Sequence, residues 1–288
     1  MYPTKERAHP CIMIRKNSEY MLFDCGESAQ RQIRIAEISP YKITKIFLTH
    51  FHGDHSLGIP GLIESLNGMK RKEPVEIFTP IGGEKRIKSF FYAIGTKPNF
   101  EVKVIEIEKK KKIFSNKEFE VYAMPVIHRK IPCLAYSIKE KDRRKINIEY
   151  TKKFGLTRDK ILGKLQQGKT IEYKGKKITA KEGTIIVPGK KITYITDTLF
   201  DRKLIKFAEN SDVLISESTY MDTERKKAEE RFHMTSILAG ELAKKSKSKK
   251  LYLTHFSQKY EDLKPMLIEA KSVFPETEIA EDFMRFEV

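Results

Sequence analysis

Residues 49–55 read THFHGDH, a dense group of potential metal ligands. It follows an apolar run, KIFL (45–48), and places three histidines and one aspartate within six residues: His50, His52, Asp54 and His55. Imidazole nitrogens and carboxylate oxygens suit zinc, manganese or iron, and four such groups exceed the needs of one tetrahedral ion. The spacing therefore predicts a site for two metal ions at the exit of a strand.

Three further potential ligands end apolar runs elsewhere in the chain. His128 follows FEVYAMPVI, Asp197 follows KITYIT, and His255 follows KLYLT. Each one alone is more often structural, but the carboxyl ends of strands gather at one edge of an α/β sheet. We therefore expect all three to join the first cluster, with Asp197 as a carboxylate that bridges two ions roughly 3.5–4 Å apart.

The rest of the chain alternates short apolar strands with amphipathic helical segments, which predicts an α/β fold. KIFLTHF (45–51) and KLYLTHF (250–256) resemble each other, so we expect two related halves. Strands are predicted at 11–14, 20–23, 45–49, 75–79, 102–107, 119–126, 191–196, 212–216 and 250–254. Helices are predicted near 28–37, 56–68, 83–93, 200–209, 235–245 and 262–272.

Length and composition exclude several classes of protein. The 288 residues are 40% hydrophobic and 33% charged, and from their pattern we expect neither a membrane span nor a secretory leader. Cys11, Cys25 and Cys133 are scattered and form no CxxC pair, which argues against a disulfide framework or a cysteine zinc site. We expect a single large domain in a reducing cytoplasm, with no membrane partner.

Basic residues are concentrated in one segment. Of a net charge of +17, residues 139–177 supply +9, from fourteen Lys or Arg against five Asp or Glu. We expect an inserted arm that binds nucleic acid, although a solvated surface is the alternative explanation for the charge total. Tyr150, Phe154 and Tyr173 alternate with the cations as on a nucleic-acid surface, but a helical hairpin with a small core would place them similarly.

HxHxDH followed by His, Asp and His in that order resembles the metallo-β-lactamase superfamily, and this resemblance implies a four-layer αβ/βα sandwich. Within the superfamily the chain is most similar to the ribonuclease Z family, endonucleases that trim the 3′ trailer from precursor tRNA. The similarity covers nearly the whole chain and rests on PTKERAHP (3–10), LFDCGESAQRQ (22–32), FLTHFHGDHSLGIPGL (47–62), ITDT (195–198), HMTS (233–236) and THFSQKY (254–260). It implies one domain of this type over residues 1–288, with residues 139–177 as a tRNA-binding arm.

The resemblance also implies two zinc ions per subunit, with Mn²⁺ or Fe²⁺ as alternatives, and assigns their ligands. One ion would be bound by His50, His52 and His128, the other by Asp54, His55 and His255, with Asp197 bridging the two. Asp54 would in addition accept a proton from the attacking water. His233, oriented by Glu217, would donate a proton to the leaving 3′ oxygen. Asp24 is expected to brace a ligand loop rather than to bind metal.

The resemblance further implies precursor tRNA as the substrate, cleaved to a 3′-hydroxyl tRNA and a 5′-phosphate trailer. Substrate contacts are expected from Ser257, Lys259, Arg143, Arg144, Lys145, Arg158, Lys160 and Lys164. Lys259 stands where the family commonly has arginine, and Ser216 where it commonly has histidine. Family members usually have a short strand and a Leu-Gly-Thr turn before the first shared segment, so we expect either that the start of this sequence is misplaced or that the first sheet lacks one edge strand.

A di-iron redox protein is a remote alternative, because histidine and carboxylate ligands also suit iron, but no flavin-binding domain is visible. Two further functions remain open from the sequence. One is a dinuclear hydrolase of the same fold that acts on small phosphodiesters, thioesters or lactones, although such an enzyme has no need of a +9 arm. The other is a tRNA-binding protein without catalysis, against which the full set of ligands argues. For the subunit arrangement, we expect a homodimer.

Overall fold

The structure is a computed structural model that describes residues 2–288. Its strands are β1 (Ile12–Lys16), β2 (Glu19–Phe23), β3 (Ile43–Phe47), β4 (Val75–Pro80), β5 (Val102–Ile107), β6 (Lys111–Ser115), β7 (Phe119–His128), β8 (Ile131–Glu140), β9 (Arg143–Ile146), β10 (Ile171–Tyr173), β11 (Lys176–Ile178), β12 (Thr184–Val187), β13 (Lys191–Ile195), β14 (Val213–Glu217), β15 (Leu251–Thr254) and β16 (Thr277–Ile279). Two sheets dominate, with the orders β1-β2-β3-β4-β5 and β16-β15-β14-β13-β8-β7-β6. In the first sheet, β1 is an edge strand and pairs antiparallel to β2.

The helices connect these strands. They are α1 (Ala29–Ile35), α2 (Gly53–Ser56), α3 (Gly58–Gly68), α4 (Gly83–Ala93), α5 (Ile148–Lys152), α6 (Leu162–Gln166), α7 (Ala180–Gly183), α8 (Arg202–Ala208), α9 (Arg225–Arg231), α10 (Ser236–Lys245) and α11 (Lys264–Val273). Each strand and helix predicted from the sequence overlaps one of these elements, which confirms the α/β class. Within residues 2–288, no helix has the length and apolar character needed to cross a bilayer.

Aromatic side chains fill the space between the two sheets. In the first sheet, the ring of Phe47 stacks on those of Phe23 and Phe78, at centroid distances of 4.8 and 4.7 Å. Tyr136 of the second sheet meets Phe47 edge-on at 5.5 Å, and its hydroxyl donates to the carbonyl of Leu48 at 2.6 Å. Offset and edge-on ring pairs of this kind stabilise an interface beyond the area that they bury.

Successive residues of a strand point to opposite faces of the sheet. The apolar residues that point away from the aromatic layer are covered by helices in both sheets. In the first sheet, Ile46 and Ile77 point away from the aromatic layer and pack with Ile33, Leu62 and Ile87 of α1, α3 and α4. In the second sheet, residues of β14 and β15 pack with α8, α10 and α11 in the same way. The predicted four-layer αβ/βα sandwich is therefore confirmed.

Residues 115–120 and 139–191 form a second compact unit, and the rest of the described chain forms the first. The second unit contains the antiparallel pair β9 and β12, the hairpin of β10 and β11, and a small core. Tyr150, Phe154 and Tyr173 pack against this core, so the core explains their spacing. The segment predicted as the arm, 139–177, lies in this unit, which continues to residue 191.

Two loops of the first unit approach each other so closely that only glycine fits between them. A Cβ atom on Gly58 would lie 2.1 Å from the carbonyl oxygen of Gly26, and one on Gly26 would lie 2.2 Å from that of Asp54. The Cys25 amide donates to the His55 carbonyl at 2.8 Å, and the Gly58 amide donates to the Cys25 carbonyl at 2.9 Å. The loop after β2 is thereby fixed against the turn that carries His55.

We expect Gly58→Ala to lower the free energy of unfolding by about 1–3 kcal/mol, because the added methyl group requires a shift of backbone atoms. Gly68→Ala is the matched control in the same helix, since its Cβ atom would meet no described atom within 4 Å. Urea unfolding of both variants tests this expectation. Equal stability of the two variants would contradict it.

Candidate metal centre and active site

The predicted ligands follow strand ends in both sheets. His50 and His52 lie shortly after β3, and His128 is the last residue of β7. Asp197 and His255 lie just after β13 and β15, with φ angles of 40° and 58°. Such left-handed backbone is uncommon outside glycine and concentrates at functional sites. The chain thus turns sharply at two of the strand exits that carry ligand side chains.

The first group of ligand atoms comes from three histidines. His50 Nε2 lies 3.0 Å from His52 Nδ1, which lies 3.4 Å from His128 Nε2. Asp197 Oδ2 lies 3.6 Å from both His50 Nε2 and His128 Nε2. The four ligand atoms lie within 4.8 Å of one another, so these residues can hold a metal ion.

The second group consists of Asp54, His55 and His255. Asp54 Oδ2 lies 3.6 Å from His55 Nε2 and 3.5 Å from His255 Nε2. The other oxygen of Asp197, Oδ1, lies 3.4 Å from His55 Nε2 and 2.9 Å from His255 Nε2. Asp197 therefore presents one carboxylate oxygen to each group, which is the arrangement that a bridging ligand requires.

Hydrogen bonds on the outer side of the imidazole rings hold the inner nitrogens toward the ligand groups. The outer Nδ1 atoms of four rings bond as follows: His50 with Thr49 Oγ1 at 3.1 Å, His55 with Asp24 Oδ2 at 2.8 Å, His128 with the Phe232 carbonyl at 3.0 Å, and His255 with Thr219 Oγ1 at 3.0 Å. In a neutral ring, a proton placed on the outer Nδ1 leaves the inner Nε2 with a lone pair for a metal ion.

Asp24 belongs to neither ligand group, although it is fully buried. Its carboxylate accepts hydrogen bonds from the Thr49 amide at 2.7 Å, from the Tyr194 hydroxyl at 2.9 Å and from His55 Nδ1 at 2.8 Å. Its φ angle of 56° turns the chain at the end of β2. Asp24 therefore braces the ligand loop, as its position in the sequence suggested.

The two groups differ in their electrostatics. Burial lowers the pKa of His50, and burial together with the nearby His128 lowers the pKa of His52 to about 4. Burial acts in the same direction on His255, but the Asp197 carboxylate prevails and raises the pKa of His255 to about 9. Burial raises the pKa of Asp54, yet the hydrogen bond from His255 and the positive charges of His55 and His255 together outweigh it and hold that pKa low. Burial lowers the pKa of His55, but the carboxylates of Asp24 and Asp197 raise it well above its usual value. The imidazoles of the first group are thus neutral at pH 7, whereas His255 in the second group carries a proton.

His233 and Glu217 form a pair beside these groups. His233 Nδ1 donates to Glu217 Oε2 at 3.0 Å, and Glu217 also accepts from the Thr198 amide at 2.6 Å and from the Thr219 hydroxyl at 2.5 Å. The His233 ring lies 5.5 Å from that of His255, and both residues form a further possible ligand set with Asp197. The sequence analysis missed Thr219, whose only signal was its place in SEST (216–219) after a strand.

Lys259 and Ser257, which were predicted to contact the substrate, both interact with neighbouring residues. Lys259 is ion-paired with Glu224, and its ammonium lies 4.6 Å from the ring centroid of Tyr260. Hydrogen bonds from Lys259 and Tyr260 lower the pKa of Glu224 to about 2. The Ser257 amide donates to the Thr219 carbonyl at 3.1 Å.

The six predicted arm cations all lie in the second unit. Arg144 is half-buried and donates to Thr184 Oγ1 at 3.2 Å. The other five are exposed: Arg143, Lys145, Arg158, Lys160 and Lys164. Exposed cations are available to a polyanion, whereas Arg144 also supports the packing of its own unit.

Residues 4–158 match the family model of the metallo-beta-lactamase superfamily. Ribonuclease Z of Pyrococcus horikoshii is 38% identical over 288 residues, which cover 99% of this chain and 92% of that protein. Ribonuclease Z of Nanoarchaeum equitans is 39% identical over 259 residues, 90% of this chain and 81% of that protein. The chain belongs to the ribonuclease Z family. The family predicted from the sequence motifs is therefore confirmed.

Solved structures agree with membership of the ribonuclease Z family. The crystal structure of human tRNase Z, short form, is similar with a TM-score of 0.70 and 26% identity, and the match covers 99% of this chain and 94% of that one. The metallo-beta-lactamase fold protein YhfI from Bacillus subtilis also has a TM-score of 0.70, at 20% identity, with 98% and 92% coverage. The similarity to YhfI shows a shared fold and nothing more.

We expect the second ligand group to bind divalent metal more tightly as the pH rises from 6 to 9. A metal ion must displace the proton of His255, whose pKa is about 9, so affinity should rise about tenfold per pH unit for each proton released. The first group should change little, because His52 loses its proton near pH 4.

Calorimetric titration of chelator-treated protein with Zn²⁺, in buffers of different ionisation enthalpy, resolves the protons released at each binding step. The same pH dependence for both steps would show that the two groups do not differ in this way.

Proposed function

We propose that this protein is a metal-dependent endoribonuclease that removes the 3′ trailer from precursor tRNA. The observation that carries the proposal is the Asp197 carboxylate, whose two oxygens face two separate ligand groups beside the pair of His233 and Glu217. Relatives named ribonuclease Z that are 36–39% identical, several of them over nearly the whole chain, supply the substrate class. The products would be a tRNA with a 3′ hydroxyl and a trailer with a 5′ phosphate.

Two zinc ions fit the donor atoms of the site. Five imidazoles and two carboxylates are the ligands that zinc accepts, and Mn²⁺ or Fe²⁺ could use the same set. The first ion would be held by His50, His52, His128 and Asp197, the second by Asp54, His55, His255 and Asp197. When bound, the ions would activate water and neutralise charge on the phosphate.

One of the ligands and one neighbouring histidine would transfer the protons. Asp54, which faces His55 and His255, would accept a proton from the attacking water. Glu217 holds Nδ1 of His233 and leaves Nε2 of that ring free to protonate the leaving 3′ oxygen. The side chain of His233 is 11% exposed, so substrate can reach it.

A direct test is incubation of the purified protein with end-labelled precursor tRNA and Zn²⁺. A trailer with a 5′ phosphate supports the proposal. Hydrolysis of a small phosphodiester without cleavage of precursor tRNA would favour a small-molecule hydrolase, and binding without cleavage would favour a tRNA-binding protein.

We also propose that the second unit binds the body of the tRNA, with Arg143, Arg144, Lys145, Arg158, Lys160 and Lys164 as contacts. The support is its charge: the segment 139–177 carries +9, and five of these six cations are exposed. Ser257 and Lys259 would contact the RNA close to the scissile phosphate.

For the assembly and its location, we propose a homodimer in the cytoplasm. Cys11, Cys25 and Cys133 are all free thiols, a state that suits a reducing compartment. Light scattering of the purified protein tests the dimer, and fractionation of cells tests the location.

We expect His233→Ala to slow cleavage of precursor tRNA by roughly 10²–10⁴-fold, as the loss of a general acid does. Bound zinc, measured by atomic emission, should remain at the wild-type level. Glu217→Gln serves as a comparison, because it keeps the shape of the partner but removes its charge, and it should slow cleavage less than His233→Ala. Loss of zinc from His233→Ala would identify His233 as a ligand instead.

Replacing the exposed cations Arg158, Lys160 and Lys164 by glutamine should raise KM for precursor tRNA and leave hydrolysis of a small phosphodiester intact. Each lost phosphate contact should also flatten the dependence of log affinity on log salt concentration by about 0.7 to 0.9. Filter binding at several salt concentrations measures this slope.

The matched control for this triple variant removes three exposed cations of the first unit, Lys85, Lys88 and Lys97. This control changes the net charge by the same amount, but it should leave the dependence of log affinity on log salt concentration unchanged. The same slope in both variants would mean that only the total charge matters.

A further inference from the structure

Tyr220 is fixed beside His233. Its amide donates to the Met234 carbonyl at 3.4 Å, and its carbonyl accepts from the Ser236 amide at 3.1 Å. Its half-buried ring meets the His233 ring edge-on, with 6.1 Å between the centroids. The backbone of Tyr220 is therefore held by hydrogen bonds on both sides, and its ring lies against that of His233.

Two cations lie over this ring. The ammonium of Lys227 is 5.4 Å from the ring centroid, and that of Lys259 is 5.7 Å away. Glu224 binds both, with Lys227 Nζ donating to Oε1 at 3.3 Å and Lys259 Nζ donating to Oε2. Both lysine side chains are partly exposed, at 47% and 38%.

An aromatic ring with cations close to it is typical of a site that binds a nucleotide of single-stranded nucleic acid. The base stacks on the ring and the adjacent phosphates bind the cations, a combination that proteins use for unpaired RNA and DNA. Lysine ammonium groups sit on flexible stems, so they can exchange the Glu224 carboxylate for phosphate oxygens. Once the lysines have moved to the phosphates, the ring is left as the surface on which the base stacks.

We propose that Tyr220, Lys227 and Lys259 form a subsite for the nucleotide that bears the leaving 3′ oxygen, with its base stacked on Tyr220. This inference rests on the proposed function, because it takes His233 as the donor to that oxygen. The two ring centroids are only 6.1 Å apart, so a nucleotide whose 3′ oxygen bonds to His233 brings its own base near Tyr220. The nucleotide that reaches His233 through its 3′ oxygen therefore lies along Tyr220.

The test is a cycle that combines a protein variant with a substrate variant. Precursor tRNA is made with its normal base, or with an abasic ribose, at the nucleotide before the scissile phosphate. Wild-type protein should lose about tenfold in kcat/KM on the abasic substrate, mostly through KM. Tyr220→Leu should lose about tenfold on the normal substrate and nothing further on the abasic one. Tyr220→Phe should behave as wild type, because stacking needs only the ring.

Tyr92→Leu is the control, since Tyr92 is 89% exposed on α4. It should lose the same tenfold on the abasic substrate as wild type does. Independent penalties for Tyr220→Leu and for the abasic ribose would overturn the subsite. If wild-type protein leaves normal precursor tRNA uncut, the proposed function fails, and the subsite fails with it.

A second variant keeps the test valid if Tyr220→Leu does not fold. Lys227 is exposed on α9, so Lys227→Gln preserves the packing of the site. It should raise KM for precursor tRNA severalfold and flatten the salt dependence of binding by about 0.7 log units. An unchanged KM and an unchanged salt slope would remove Lys227 from the subsite and contradict the proposal.

Discussion

The site depends on the carboxylate of Asp197, which is almost fully buried between two groups of imidazoles. A buried carboxylate without a cationic partner costs several kcal/mol, so positive charge must lie next to it. The proton on His255 meets this need in the protein alone, and divalent ions would meet it more fully. The same balance of charge explains why histidines surround both of the Asp197 oxygens.

The packing of the two sheets and the placement of the ligand side chains depend on the same hydrogen bonds. Tyr136 and Tyr194 belong to the second sheet, yet their hydroxyls bond to Leu48 and Asp24 at the ends of strands in the first. Since Asp24 in turn holds His55, the hydrogen bond from Tyr194 connects the interface to a ligand ring. A shift of one sheet over the other would therefore separate the two halves of the site.

The features that could be predicted from the sequence are those that local patterns determine. Apolar runs placed nine strands, and the density of ligands in THFHGDH marked the metal site without any knowledge of the fold. Contacts between residues that are far apart in the chain could not be predicted from the sequence. β12 pairs with β9, about forty residues earlier, and this pairing extends the second unit past the basic segment that the charge pattern outlined. Thr219 and Tyr220 were missed for the same reason, because their partners are distant in sequence.

Chemistry and selectivity are divided between two zones of the site. The centre consists of buried imidazoles and carboxylates, a donor set that any dinuclear hydrolase of this fold could use. The surroundings of His233 are different, because an aromatic ring, two lysines and one glutamate lie within reach of one another there. A small diester, thioester or lactone gains little from such a surface, whereas an unpaired nucleotide can use both the ring and the cations. The preference of this protein for RNA is therefore best sought in the residues around the metal ligands, not in the ligands themselves.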